Sequence, residues 1–137
     1  MFGTALDPAR VTVNRAKWWM WQPAWVAMAP DGHLWLHPNG PDCHADFADA
    51  DLSARGLFVH EMTHVWQHQQ GVNLLWSRKP WDSYDYLPLA PGKPFDAYNL
   101  EQQAEIIREG WMIRAGYALT GRPPRDAYET LVPFWRA

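Results

Sequence analysis

A single cysteine in 137 residues excludes an internal disulfide framework. Long apolar runs are missing as well, so no segment is expected to span a membrane. Basic charge is scarce: 12 Lys and Arg stand against 15 Asp and Glu, for a net charge of -3. That balance argues against a nucleic-acid partner. Internal repeats and low-complexity tracts are also absent. The first residues, Met1-Phe2-Gly3-Thr4, lack a basic region followed by an apolar one. No Sec signal is therefore read, and a cytoplasmic protein is expected, exported if at all by a dedicated machine. The length suits one domain, 1–137, and 47% hydrophobic residues suffice to bury a core. Tryptophan is what the chain has in excess, with ten, including Trp18, Trp19 and Trp21 close to Lys17 and Pro23. Packing or partner binding explains that cluster better than a membrane interface, because no basic amphipathic helix accompanies it.

Residues 60–64 read His60-Glu61-Met62-Thr63-His64, an H-E-x-x-H motif. On a helix, side chains four apart share one face, so two imidazoles can turn toward one metal ion. The intervening glutamate lies beside the ion and serves as a base rather than a ligand. The surroundings read as a helix. Ser53 is a suitable N-cap, Leu57, Phe58, Met62, Val65 and Trp66 recur at helical spacing, and Gly71 suits a C-terminal stop. His60 and His64 are therefore expected metal ligands and Glu61 the catalytic base.

A hydrolytic zinc site takes three protein ligands and keeps one position open. A histidine six residues after His64 would complete one version of the motif, but that position is Gln70. Residues 99–105, Asn-Leu-Glu-Gln-Gln-Ala-Glu, read as the start of a second helix with a capping-box pattern of Asn99 and Gln102. Leu100, Ala104, Ile107, Trp111 and Ala118 give it an apolar stripe, and Gly121 with Pro123-Pro124 is read as its end. Glu101 and Glu105 share a face, and on the residues alone either could reach a metal.

Other histidines are less telling. His68 continues the stripe of His60 and His64 but reads as the exposed end of the helix. Cys43 beside His44 fits neither zinc-ribbon nor redox spacing. Tyr84, Tyr86 and Tyr98 are candidate oxyanion stabilisers, since a phenol can donate to a developing negative charge. Upstream of the motif, Val11-Thr12-Val13, 25–29 and 33–37 read as strands, the last two joined by a Pro30-Asp31-Gly32 turn. Residues 72–98 form a long connection rich in Pro, Trp and Tyr, expected to fold over the metal cleft. Asp126 with Glu129 suggests a short last helix ending near Pro133.

Glu101-Gln102-Gln103-Ala104-Glu105 resembles the E-x-x-A-D signature of gluzincin peptidases, with Glu105 in place of the Asp. More narrowly, 2–115 resembles the small Vgr-related domain, or contractile-injection-system core domain, through Phe2–Asp7, Val26–Gly32, Leu57–Gln67 and Glu101–Glu105. The resemblance implies a small zincin-like α+β domain, an N-terminal antiparallel sheet packed on an H-E-x-x-H helix and a glutamate helix. It implies one Zn2+ per chain on His60, His64 and Glu101, with Glu105 bonded to a ligand histidine from behind. The activity it implies is hydrolysis of a peptide or protein substrate by zinc-activated water, with Glu61 as general base. A type VI or phage-tail-like secretion apparatus is the implied partner. An extended substrate would then pair with an exposed sheet edge, expected at Leu34-Trp35-Leu36. The alternative is a zinc-binding structural or adaptor module of such an apparatus with little or no catalysis.

Overall fold

A computed structural model describes residues 1–136. It is a small α+β structure with a three-stranded sheet and four α-helices among the described residues. The strands are β1 (Val13–Asn14), β2 (Ala27–Met28) and β3 (Leu34–Leu36). The helices are α1 (Leu52–Gln69), α2 (Leu74–Ser77), α3 (Leu100–Arg114) and α4 (Arg125–Leu131).

The sheet order is β1-β3-β2. β2 and β3 pair antiparallel across the expected turn, where Gly32 takes a φ of 85°. β1 instead pairs with β3 in parallel, starting with Leu34 N–H donating to the Thr12 carbonyl at 2.9 Å. Two expectations are corrected here. The sheet is mixed rather than antiparallel, and Leu34, Trp35 and Leu36 form its middle strand rather than an edge. Both sides of β3 are occupied, so the outer strand of the hairpin is β2. The alternation of β3 reflects a buried face and a partly covered one. Leu34 and Leu36 enter the core, while Trp35 bonds from its indole N–H to the Asp31 carboxylate at 3.0 Å.

α1 begins two residues earlier than Ser53 implies. Asp51 is the N-cap, its carboxylate accepting from Ala54 N–H at 2.9 Å. The end is as read: Gly71 has φ 89°, and Val72 N–H reaches back to the Gln67 carbonyl. α3 opens on the capping box of Asn99 and Gln102. It closes earlier than Gly121, because Gly116 already adopts φ 93° and Tyr117 N–H bonds to the Met112 carbonyl. Ala118 thus lies outside the helix. α4 matches the short last helix expected around Asp126.

α1 runs through the centre, and α3 packs along it. Val59, Met62 and Val65 meet Phe2, Leu6, Ala29, Leu34, Ile106 and Ile107 in one core, which α4 and Trp135 close from the far side of α3. Two glycines set how closely these layers approach. A Cβ on Gly110 would stand 2.6 Å from the Trp135 ring and 2.9 Å from the Tyr128 ring. A Cβ on Gly56 would stand 2.3 Å from the Met112 methyl, the free end of a flexible chain.

The two sites therefore answer differently to the same change. Gly110→Ala should destabilise by about 1–2 kcal/mol, overpacking against two rings outweighing better helix propensity. Gly56→Ala should be near neutral, because Met112 can swing aside. Denaturant unfolding of the two variants checks this.

Candidate metal centre

α1 and α3 bring together the three side chains that could hold a metal ion: His60, His64 and Glu101, all buried. His60 and His64 lie one turn apart, edge to face, and turn their Nε2 atoms to within 3.2 Å of each other. Glu101, in the first turn of α3, sets its Oε2 3.2 Å from His60 Nε2 and 3.3 Å from His64 Nε2. Three ligand-type atoms thus form a nearly equilateral triangle.

Each donor is oriented from behind. Glu105 Oε1 lies 2.7 Å from His60 Nδ1, the relation expected of it, one turn along α3 from Glu101. Arg108 in turn sits on Glu105 at 3.2 Å. His64 Nδ1 lies 2.8 Å from Gln67 Oε1. A side-chain amide oxygen only accepts, so His64 carries its proton on Nδ1 and presents a lone pair at Nε2. Gln67 spends its amide protons on Gln103 Oε1 at 2.9 Å and the Leu100 carbonyl at 3.1 Å. Arg78, at the end of α2, donates to the outer oxygen of Glu101, Nε at 2.6 Å, which leaves Oε2 facing the imidazoles.

Sequence reasoning missed Gln67 and Arg78. Gln67 was legible, since it stands three residues after His64 on the same helical face. Arg78 carried no signal, because only the path of the connection brings it to Glu101.

Electrostatics follow from burial against pairing. Burial pulls His60 down, but the Glu101 and Glu105 carboxylates outweigh it and push its pKa up to about 9. Burial works to raise Glu101 too, and the two histidines and Arg78 outweigh that, holding it well below the usual carboxylate range. Glu61 goes the other way: burial raises it, against the pull of His64, His60 and Arg78. Its carboxylate accepts from no protein donor among the described residues and borders a cavity of about 380 Å³ with Leu57, His60, Tyr84, Glu105 and Arg108.

Of the three tyrosines, Tyr84 stands at this site, its ring stacked on His60 with centroids 5.8 Å apart. Burial and the Glu101 charge raise its pKa, so the phenol stays a proton donor at neutral pH. Tyr86 and Tyr98 are elsewhere. Tyr86 is buried in a hydrogen-bonded set with Glu109 and Tyr128, and Tyr98 accepts from Ala90 N–H under the Lys93 ammonium. Their place in the core excludes them as oxyanion donors. Cys43 and His68 are not in the ligand group either; His68 is exposed, as expected for its place on the helix.

No protein-family model matches the sequence. The chain is 40% identical over 119 residues to the type VI secretion system spike protein VgrG2b of Pseudomonas aeruginosa, a match covering 80% of this chain and 11% of that protein. It thus spans about a tenth of the spike protein's length. The solved effector domain of Pseudomonas aeruginosa VgrG2b superimposes with a TM-score of 0.71 at 31% identity, over 94% of this chain and 72% of that one. The chain belongs to the VgrG2b effector-domain family. Within this family member, the buried His60, His64 and Glu101 group lies on the helix pair that forms the fold's centre.

Two outcomes are expected at this centre. A metal must displace the Nε2 proton of His60, so affinity should rise about tenfold per pH unit toward the His60 pKa of about 9 and level off above it. Gln67→Leu should weaken metal binding by about 10–100-fold while the fold is kept, because His64 loses the partner that fixes its tautomer. Competition titration with a metal-responsive chelator across pH checks both.

Proposed function

We propose that this effector-domain family member is a zinc-dependent metallopeptidase of the gluzincin type on a zincin-like fold. The observation that carries the reading is the triangle of His60 Nε2, His64 Nε2 and Glu101 Oε2, with edges of 3.2, 3.2 and 3.3 Å, beside a Glu61 carboxylate that borders a cavity. Ligand atoms about 2 Å from a tetrahedral ion lie roughly 3.3 Å apart, and two imidazoles with one carboxylate suit zinc. Bound zinc supplies a Lewis acid that acidifies water and polarises a carbonyl.

The chain's own residues do the rest. Glu105 and Gln67 hold the Nδ1 protons of His60 and His64, keeping both Nε2 atoms aimed inward, where each would ligate the ion once the His60 Nε2 proton is displaced. Arg78 restrains Glu101 so that one oxygen faces the imidazoles. Glu61 takes the proton from water as it adds to the scissile carbonyl, then gives it to the departing amine nitrogen. Its burial, which raises its proton affinity, suits that exchange. Tyr84 donates to the carbonyl oxygen as charge grows there.

An adaptor module with a silenced site would be expected to close the fourth coordination position with another side chain. Among the described residues no fourth His, Cys, Asp or Glu joins the group, which favours hydrolysis. The likeness to a type VI secretion spike protein supports a further reading, that the chain acts with such a secretion apparatus.

Glu61→Gln should retain zinc and lose about 100-fold or more in peptide hydrolysis, because a carboxamide cannot take the proton. Tyr84→Phe should lower kcat by about 100-fold with little change in KM. Steady-state cleavage assays with elemental analysis of each variant check these. Unchanged cleavage by Glu61→Gln would overturn the mechanism.

A further inference from the structure

The two oxygens of Glu101 are treated unequally. Oε2 lies 3.2 Å from His60 Nε2 and 3.3 Å from His64 Nε2. Oε1 accepts from Arg78 Nε at 2.6 Å, and Arg78 Nη2 stands 2.5 Å from the same oxygen. An arginine facing a carboxylate commonly places one N–H on each oxygen. This molecule contains such a pair: Arg122 Nε donates to Glu109 Oε2 at 2.5 Å and Nη2 to Oε1 at 2.8 Å. At Glu101 both guanidinium nitrogens converge on one oxygen instead.

A carboxylate oxygen offers two lone-pair sites. Two charged nitrogens at this range fill both sites of Oε1 and leave those of Oε2 free. The arrangement is enclosed, since the Glu101 side chain is only 5% exposed and water has little access to compete for Oε1. Arg78 is anchored in turn at the end of α2, where its backbone N–H donates to the Leu74 carbonyl at 3.2 Å.

The consequence is a limit on coordination number. His60, His64 and one oxygen of Glu101 give three ligand atoms, and a fourth position for water completes a tetrahedron that suits zinc. Ions that prefer oxygen, such as manganese(II), gather about six ligands, and a carboxylate can help by giving both oxygens. Glu101 can do so only if Arg78 lets go. An ion approaching Oε1 must also displace a cation from it.

We infer that Arg78 is a positioning residue that sets the metal selectivity of the centre: by saturating Oε1 it restricts Glu101 to one ligating oxygen and favours four-coordinate ions over those that need more oxygen ligands. The inference rests on the metal-binding part of the proposed function and is separable from hydrolysis.

The test uses the full chain, prepared metal-free and given one equivalent of cobalt(II). Visible d–d absorption is intense for four-coordinate cobalt(II) and weakens as the coordination number rises. The wild-type chain should give the intense spectrum. Arg78→Met frees Oε1, so its cobalt spectrum should fall several-fold in intensity. Its preference for zinc over manganese(II) should drop by about tenfold in a competition titration, with manganese read from the loss of the free ion's paramagnetic-resonance signal. Loss of a positive charge strengthens the binding of every divalent ion, so a ratio and a spectrum are the readouts rather than one affinity. Arg78→Lys keeps the charge without the fork, and both readouts should move in the same direction as for Arg78→Met. A weak cobalt spectrum from the wild-type chain overturns the inference. So does an unchanged spectrum and ratio in Arg78→Met, or a wild-type-like Arg78→Lys beside a shifted Arg78→Met. A wild-type chain that holds neither cobalt nor zinc overturns the inference and the metallopeptidase reading together. The expected spectra and ratios from a chain that, loaded with zinc, cleaves no peptide would support the inference and remove the hydrolytic reading alone.

Discussion

Two imidazoles and a carboxylate are buried where α1 meets α3, and the molecule is arranged to satisfy them. Such groups cost several kcal/mol each when left unpaired in a core. Here the debt is met by chains of partners that run from one helix to the other: Arg108 to Glu105 to His60, and Leu100 and Gln103 to Gln67 to His64. The same bonds that satisfy the buried polar atoms also select which nitrogen of each ring faces inward. Fold stability and ligand orientation are therefore one set of interactions, and a change in either is felt in the other.

The apolar packing serves this seam. Gly56 and Gly110 keep α3 close to its neighbours on two sides, and the core beneath α1 presses the histidine face toward Glu101. α1 carries polar residues that are buried because it is enclosed on several sides. An isolated amphipathic helix would hide only one stripe.

Much of this could be read from the residues. The helix through His60 and His64, its stop at Gly71 and the capping box at Asn99 follow from local spacing, which a helix converts directly into geometry, while the resemblance left open which histidine Glu105 meets, and the structure has it on His60. What could not be read is what depends on chain path. The alternation in Leu34-Trp35-Leu36 says that one face is buried, and is silent on whether a strand has one neighbour or two; β1 supplies the second. Three tyrosines in or near the connection are equivalent on paper, and only its course separates Tyr84 at the site from Tyr86 and Tyr98 in the core. Gly121 and Gly116 are both possible stops by composition, and the helix ends before Gly116, which takes a φ of 93° while Tyr117 N–H bonds back to the Met112 carbonyl.

The way the connection is tied down bears on how the family can vary in length. The first turn of α3 grips it at three successive points: Glu101 holds Arg78, Asn99 donates to the Ser83 carbonyl at 3.0 Å, and Gln102 to that of Asp85 at 2.7 Å. Between Arg78 and Asp85 the chain is therefore measured out residue by residue, and one insertion there would carry Tyr84 off the His60 ring. Beyond Asp85 the exposed turn at Gly92 answers to no such gauge. Insertions and deletions among relatives should accumulate around Gly92 and be selected against in the eight-residue stretch from Arg78 to Asp85.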